Sequence, residues 1–465
     1  MSRRLLQAVD LFCGAGGTST GLARACAAAS LRLDLLAVNH NPTAIETHSA
    51  NHPAARHLCE SLDSVDPRRA ARRIDLLVAS PECTGHSIAR GGKPTNDQQR
   101  ATGWHVIRWA EALRPRAILV ENVREWRSWG PLGSNGRPLR RLRGETFEAW
   151  LAALRSLGYS ADHRLLCAAD YGDPTTRERL FVLARLGRGP VRWPEPTHSP
   201  TGDADLFGVR PRWRAAREVI DWTLRGESIW NRKRPLKPKT MARIFAGLRK
   251  FGGAAFTMHT THAGGDRLSD LDAPLKTVTG ANRGEQALIE PFIIQFKGTS
   301  PDQLPATARD LGRPLGTITA GGGNFGLIEP FLLQLSQSGS NGDRTRSADQ
   351  PIPTITTADD LAVVQPFLVS YYGTGGPRSL DEPLDTVTTR DRFALVTIHG
   401  KPALLDVRFR MLQPHELALA MGFPAGYTFA GRRGDQVRQI GNAVPVNLAQ
   451  ALCAEMISWA KGRAA

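Results

Sequence analysis

"DLFCGAGG", Asp10 to Gly17, is the stretch on which the reading of this chain turns. It ends an apolar run that begins at Leu5, and it opens a helix. Glycines at such a junction let the backbone approach a ligand at a helix N-terminus, where unpaired N–H groups point outward. They serve a tight turn equally well. No Gly-Lys-Ser/Thr follows, so this is not a Walker loop, and the spacing does not fit G-x-G-x-x-G. A nucleotide-like cofactor and a plain turn both remain open. The next apolar run ends at Asn39, where folds of this kind place a residue that hydrogen-bonds ribose hydroxyls; Asn is also a good turn former.

Working outward, residues 5 to about 187 alternate short apolar strands with amphipathic helices. The strand candidates are Leu5–Phe12, Leu33–Val38, Ile74–Ala79, Ala117–Val120, His163–Cys167 and Arg179–Leu186. A helix is expected over Glu145–Leu157, where Phe147, Trp150, Leu151 and Leu154 recur at three- and four-residue steps and mark one buried face. Such alternation predicts an α/β fold, a mostly parallel sheet with helices on both sides.

Three places at the ends of these strands carry chemistry. "VASPECTGHS" (Val78–Ser87) brings a thiol, Cys83, to the carboxyl end of a central strand, the edge where open parallel sheets bind ligands. Polar residues and the basic "ARGGKP" (Ala89–Pro94) follow it, unlike the surroundings of a buried structural cysteine. A nucleophilic thiolate needs a cation or dipole to lower its pKa, and the adjacent Glu82 opposes this unless it points elsewhere. "VENV" (Val120–Val123) ends the next strand with Glu121, a candidate acid or hydrogen-bond donor to a ring nitrogen, or a surface carboxylate. In "TTRERLFVLA", Arg177 and Arg179 are two apart, hence on one side of an extended segment. Two guanidinium forks there suit carbonyl or phosphate recognition, or form a solvated basic turn.

After Gly187 the texture changes to Gly, Pro, Thr and Arg, with helices expected near Trp213–Thr223 and Thr240–Lys250. An internal repeat follows: "PLKTVT" from Pro274, "PLGTIT" from Pro314, "PIPTIT" from Pro351 and "PLDTVT" from Pro383. The first three precede apolar stretches that end in Pro-Phe, at Pro291-Phe292, Pro330-Phe331 and Pro366-Phe367. Alternating Thr and Val/Ile, a polar turn and a second apolar strand read as a β-hairpin unit, so residues 188–407 are expected to form a β-rich second domain. Helical patterning returns from Arg408 and completes the first domain, 1–187, with 408–465.

The 465 residues suit two domains, and 41% hydrophobic with 22% charged residues is ordinary for a globular chain with a real core. A net charge of +16 favours a polyanionic partner through counterion release, or reflects an Arg-rich surface. The six cysteines show no C-x-x-C and no His/Cys ligand spacing, so neither a disulfide framework nor a metal site is expected, and a reducing cytoplasm fits. No run of about 18 apolar residues supports a signal peptide or a membrane span.

Taken together and in order, these pieces resemble the DNA cytosine-5 methyltransferase family. The matching stretches are "DLFCGAGG", a Pro-x-Cys-x-x-x-Ser around Cys83, "ENV" at Glu121, Arg177-x-Arg179, "RMLQPHELALAMGFP" from Arg410 and "GNAVP" from Gly441. The resemblance covers roughly residues 5–187 and 408–460. It implies a Rossmann-like domain that binds S-adenosyl-L-methionine, an inserted target recognition domain, and a target cytosine flipped out of duplex DNA. Cys83 would attack C6 of that base, so that C5 takes the methyl group before a base removes its proton and the thiolate leaves. Glu121 would hold or protonate N3, Arg179 would contact the base carbonyl, and Arg177 would support the pocket. Asp10, Phe12, Gly14, Gly16, Gly17, Asn39, Pro81, Asn442 and Val444 would line the cofactor site, with Asp63 as the acidic residue toward the adenine. Ser87–Arg100 matches the family's mobile loop.

The chain departs from the family at three points: Pro81-Glu82-Cys83-Thr84 stands for Pro-Pro-Cys-Gln, Asn39 for Glu, and Thr175 for Gln. In the expected second domain, "NRKRPLKPK" (Asn231–Lys239) supplies charge for phosphates. Duplex DNA is the expected partner of a monomer, with no membrane, and a cognate restriction endonuclease in the same system is compatible. RNA cytosine-5 methylation, modification of another pyrimidine, and a catalytically silent DNA-binding protein are the alternatives. The large insertion favours duplex readout, and the retained Cys83, Glu121 and Arg179 favour catalysis.

Overall fold

The computed structural model describes residues 4–82, 101–205, 208–224 and 405–461, with shorter segments between 226 and 403. The chain divides into two units, one formed by Met1–Ile220, Asp272–Gly284 and Gln413–Ala465, the other by Asp221–Leu271 and Glu285–Leu412.

The first unit is built on seven strands: β1 (Leu5–Leu11), β2 (Arg32–Val38), β3 (Arg56–Leu58), β4 (Leu76–Ala79), β5 (Ala117–Asn122), β6 (Tyr159–Cys167) and β7 (Glu178–Leu186). Their order is β3-β2-β1-β4-β5-β7-β6. The first five are mutually parallel, whereas β7 runs antiparallel to both β5 and β6. This is a Rossmann-like open α/β sheet, mostly parallel as the alternation predicts.

The side-chain period of two divides the strands between two cores. Leu76 and Val78 join one apolar cluster; Leu77 and Ala79 join the other. On one face lie α1 (Gly17–Ala28) and the C-terminal helix, through Leu22, Ala25, Cys26, Leu448, Leu452 and Met456. In chain order β2 is followed by α2 (Pro42–Asn51), capped by Asn41 Oδ1 on the N–H groups of Thr43 and Ala44, and β3 by the single turn α3 (Pro67–Ala70), capped by Asp66. On the other face lie α4 (Trp104–Leu113) and α5 (Glu145–Ser156). All four apolar residues that mark the α5 face in the sequence are buried. A short antiparallel pair, β8 (Asp203–Asp205) and β9 (Gly208–Arg210), and three further helices complete the unit: α6 (Pro414–Ala420), α7 (Arg433–Asn442) and α8 (Val446–Lys461).

The edge strand β3 escapes sequence reading because three residues, Arg-His-Leu, are too few to show a period. The helix expected near Trp213–Thr223 is only a 3-10 turn at Ala216–Glu218. There Asp221 Oδ1 draws in both the N–H and the hydroxyl of Thr223, a local turn that competes with helix.

The second unit, described by itself, is antiparallel. Its largest sheet joins β10 (Glu227–Ser228), β11 (Phe256–His259), β12 (Leu268–Asp270), β13 (Gln286–Ile294), β14 (Ala308–Asp310) and the strand Leu405–Met411. Ile229, Ile244, Ala287, Ile289 and Phe409 form its core. Phe331–Gln334, Thr345–Ser347 and Leu361–Val364 make a three-stranded sheet. Apolar stretches expected as second hairpin strands thus contain strands at Gln286–Ile294 and Leu361–Val364, with a third beginning at Phe331. The Thr-alternating segments from Pro314, Pro351 and Pro383 lie outside the described residues, as does the helix expected over 240–250 apart from Ile244. No helix among the described residues is long and apolar enough to cross a membrane.

Candidate active site

Among the described residues, Asp10, Phe12, Asn39, Pro81 and Glu121 lie at or just beyond the carboxyl ends of β1, β2, β4 and β5, on one edge of the large sheet. Because β7 is antiparallel, its amino end lies on that same edge, with Glu121 opposite Phe181 and Asn122 opposite Leu180.

At the end of β1 the backbone turns sharply. Phe12, Gly14 and Gly16 all have positive φ, at 58°, 52° and 87°. For Phe12 this is a strained conformation that a functional turn can hold in place. A Cβ on Gly14 would meet only the Phe12 carbonyl oxygen, at 3.8 Å, so the surface above Gly14 is open. Gly17 differs: a Cβ there would overlap the Val444 carbonyl oxygen, which is why "GNAVP" sits against the loop. Asn442 is exposed at the end of α7, and Val444 is buried.

Asp10 is buried beneath this turn and accepts a 2.6 Å hydrogen bond from Ser19 Oγ. Burial raises its carboxyl pKa to about 7, against the Ser19 bond, which lowers it. Ser19 Oγ also lies 2.9 Å from His48 Nε2, and His48 Nδ1 lies 2.8 Å from His57 Nε2. Beside this chain, His52 Nε2 is 3.1 Å from Thr20 Oγ1, and the Tyr427 hydroxyl donates to the Ala15 carbonyl. Burial holds the His48 and His52 imidazoles neutral, at pKa values of about 3 and about 4. Sequence reading missed this scaffold. Its one visible signal is His48 and His52 at i and i+4, which share a helix face.

At the end of β2, Asn39 Oδ1 accepts from the Asn41 N–H at 2.9 Å. Asp63 is exposed, with Oδ1 3.3 Å from His105 Nε2, and the His105 ring lies 6.2 Å from that of Phe12. Asp63 and Phe12 therefore share a neighbour on this edge.

At the end of β4 the chain passes through Pro81 and Glu82. Cys83, like Ser87–Arg100, lies outside the described residues. What holds the approach to it is Asn122 of "ENV", whose buried Nδ2 donates to the Pro81 carbonyl at 3.0 Å. The same side chain accepts from the Val123 N–H at 2.9 Å. One residue earlier, Glu121 is 7% exposed, and its Oε1 lies 3.5 Å from Arg179 Nε. Burial raises the Glu121 pKa, while the charges of Arg177 and Arg179 lower it; burial is the larger effect. Arg177 is buried, and Arg179 is mostly so. Glu178, between them, points away and pairs with Arg124, accepting from Nε at 2.9 Å. Thr175 is buried and bridges to Leu275.

A buried carboxyl held partly against ionisation and flanked by two guanidinium groups can donate a hydrogen bond to a heterocycle while the arginines meet a carbonyl. The left-handed turn a few strands away is open above Gly14, where it can cradle a small polar ligand such as the nucleotide-like cofactor expected there. Gly16 packs against Tyr427, His48 and His52, Gly17 against Val444, and Asp10 is buried beneath.

Known proteins match this chain over the same region. The family model for C-5 cytosine-specific DNA methylases matches residues 6–207 and 373–458, more than half of the chain. The Type II methyltransferase M.AgeI of Thalassovita gelatinovora is 30% identical over 200 residues, 42% of this chain and 42% of that protein. M.XorII, a Type II methyltransferase of Xanthomonas oryzae pv. oryzae, is 32% identical over 251 residues, covering 51% of this chain and 53% of that one. The chain thus aligns with about half the length of these relatives. A solved structure, the Entamoeba histolytica methyltransferase EhMeth, matches at a TM-score of 0.49 and 13% identity, over 98% of this chain and 99% of that one. On the family match, this chain belongs to the C-5 cytosine-specific DNA methylases.

Proposed function

We propose that the protein methylates C5 of a cytosine extruded from duplex DNA, through a transient bond between Cys83 and C6. The observation that carries the reading is the buried Glu121–Arg179 pair beside Asn122, which tethers the Pro81 carbonyl two residues before Cys83. A thiolate adding to C6 pushes electrons toward C5 and N3, and Glu121, with its raised pKa, is suited to place a proton at N3. Arg179 is read as holding the base carbonyl and Arg177 as neutralising the pocket. Once C5 carries the methyl group, loss of the C5 proton to a base, expulsion of the thiolate and return of the N3 proton to Glu121 restore the neutral aromatic ring. S-adenosyl-L-methionine, held by Asp10, Phe12, Gly14, Gly16, Gly17, Asn39, Asp63, Pro81, Asn442 and Val444, supplies when bound an electrophilic methyl group.

Residues 188–407 are read as the target recognition region and the remainder as the catalytic domain. The proposal extends to a monomer working inside the cell, with a cognate endonuclease as the partner whose cleavage such methylation would block. The test is transfer of labelled methyl from S-adenosyl-L-methionine to duplex DNA and to transfer RNA, followed by nucleoside mass spectrometry. The reading expects 5-methyldeoxycytidine in the duplex. Label confined to RNA, or to another base, would overturn it.

A further inference from the structure

Between β5 and α5 the chain makes an excursion, "REWRSWGPLGSNGRPLRRLR" (Arg124–Arg143), rooted two residues beyond Asn122. It contains six arginines, no lysine and one acidic residue, Glu125. All six arginines are exposed. Arg124 pairs with Glu178 at the rim of the site; among the described residues, none of the other five is in an ion pair.

The excursion is held in a fixed shape. Trp126 and Trp129 stack with ring centroids 5.8 Å apart and are both buried, Trp126 edge-on to Trp150 and Phe147 of α5 and Trp129 edge-on to Trp104 of α4. The Trp129 carbonyl accepts from the N–H groups of Thr146 and Phe147, tying the excursion to the first turn of α5. Between them Leu132 bridges to Pro138, Gly133 N–H donates to the Arg137 carbonyl at 2.9 Å, and Leu139 N–H donates to the Pro131 carbonyl at 3.0 Å. Gly130 packs so closely on the Leu142 carbonyl that a Cβ would overlap it. Arg140, Arg141 and Arg143 thus project from a short turn fastened at both ends to the core.

Arginine forks presented on a preordered backbone, without carboxylate partners, match the phosphates of a duplex, since no loop entropy is spent on binding. We propose that Arg124–Arg143 is a second, sequence-independent phosphate-binding surface, carried by the catalytic unit and gripping the duplex backbone beside the active-site rim. The inference rests on the reading of duplex DNA as substrate, and it adds a surface outside the region read as target recognition.

The test compares two charge-matched triple variants of the full chain, both checked for folding by circular dichroism. R140Q/R141Q/R143Q removes charge from the excursion. R68Q/R72Q/R73Q removes three exposed arginines ahead of β4, at the amino edge of the sheet. Binding to a set of duplexes of differing sequence is titrated against salt. Each lost phosphate contact lowers the slope of log K against log salt by about 0.9, so the first triple should lower it by about 2 to 3, equally on every duplex. The second triple should leave the slope at the parent value. Equal effects of the two triples, no change in the first, or a loss on transfer RNA alone would overturn the inference. Methyl transfer by the parent is measured in the same preparation. An active parent with an unaltered slope in the first triple sinks the surface alone, and an inactive parent whose slope still falls with that triple sinks the methylation reading alone.

Discussion

His48 is fully buried, yet it carries a titratable ring between Ser19 and His57. Its folded pKa of about 3 lies below the ordinary value of 6.5. The unfolded chain therefore binds a proton between those values that the folded chain refuses, and stability is lost as pH falls from 6.5 toward 3. At pH 5 the loss from this ring alone is about 2 kcal/mol. Asp10 acts in the opposite sense: with a pKa raised to about 7, it is destabilising as pH rises from about 4 to 7. Thermal melts of the parent and His48→Gln between pH 7 and 5 isolate the first effect. The variant should lose markedly less stability on acidification, and parallel pH profiles would contradict the account. At this scale the sequence was only partly legible. Glu121, Arg177 and Arg179 stand in contiguous motifs at strand ends, where topology dictates a shared edge. Ser19, His48, His57 and Tyr427 meet only through tertiary packing, and Asp173, which accepts from the N–H groups of Asn447 and Leu448 at 3.2 and 3.0 Å, caps a helix more than 270 residues away.

At the scale of elements, α1 and α8 pack closely because α1 carries glycine where they touch. A Cβ on Gly21 would lie 2.6 Å from the Gln450 nitrogen and 2.7 Å from the Ala449 Cβ. Helix propensity alone would have Gly21→Ala stabilise by about 1 kcal/mol, since Gly is a poor helix former. Overpacking costs about 1–3 kcal/mol and is stronger here, because backbone atoms are the obstacle. The expected outcome is a lower melting temperature for the variant; a rise would mean that the two helices can part without cost. β1, β2, β4 and β5 were readable as short apolar runs, as buried parallel strands are, and α5 because its twelve residues display the helical period. The edge strand β3 was not, and the 213–223 segment carried an apolar pattern that its own Asp221 turn overrides.

On the scale of the whole molecule, one sheet edge collects the carboxyl ends of four strands and the amino end of a fifth, so residues scattered from Asp10 to Arg179 become neighbours. The motif order carried this arrangement in the sequence, since a parallel sheet sends successive strand ends to one edge. The β-rich region could be recognised from its repeats, but not which strands would pair, because β13 bonds to β11, β14 and the distant Leu405–Met411. The net charge of +16 belongs to this scale too, and the excursion after β5 concentrates part of it beside the site. The central claim concerns the sulfur of Cys83, and covalent capture tests it most directly. A duplex that contains the target sequence with 5-fluorodeoxycytidine, incubated with the protein and S-adenosyl-L-methionine, should yield a denaturation-resistant adduct, because fluorine at C5 blocks release of the attacking group. Cys83→Ala should yield none while still binding the duplex. An adduct undiminished in that variant, or none with the parent on a duplex it demonstrably binds, would contradict the account.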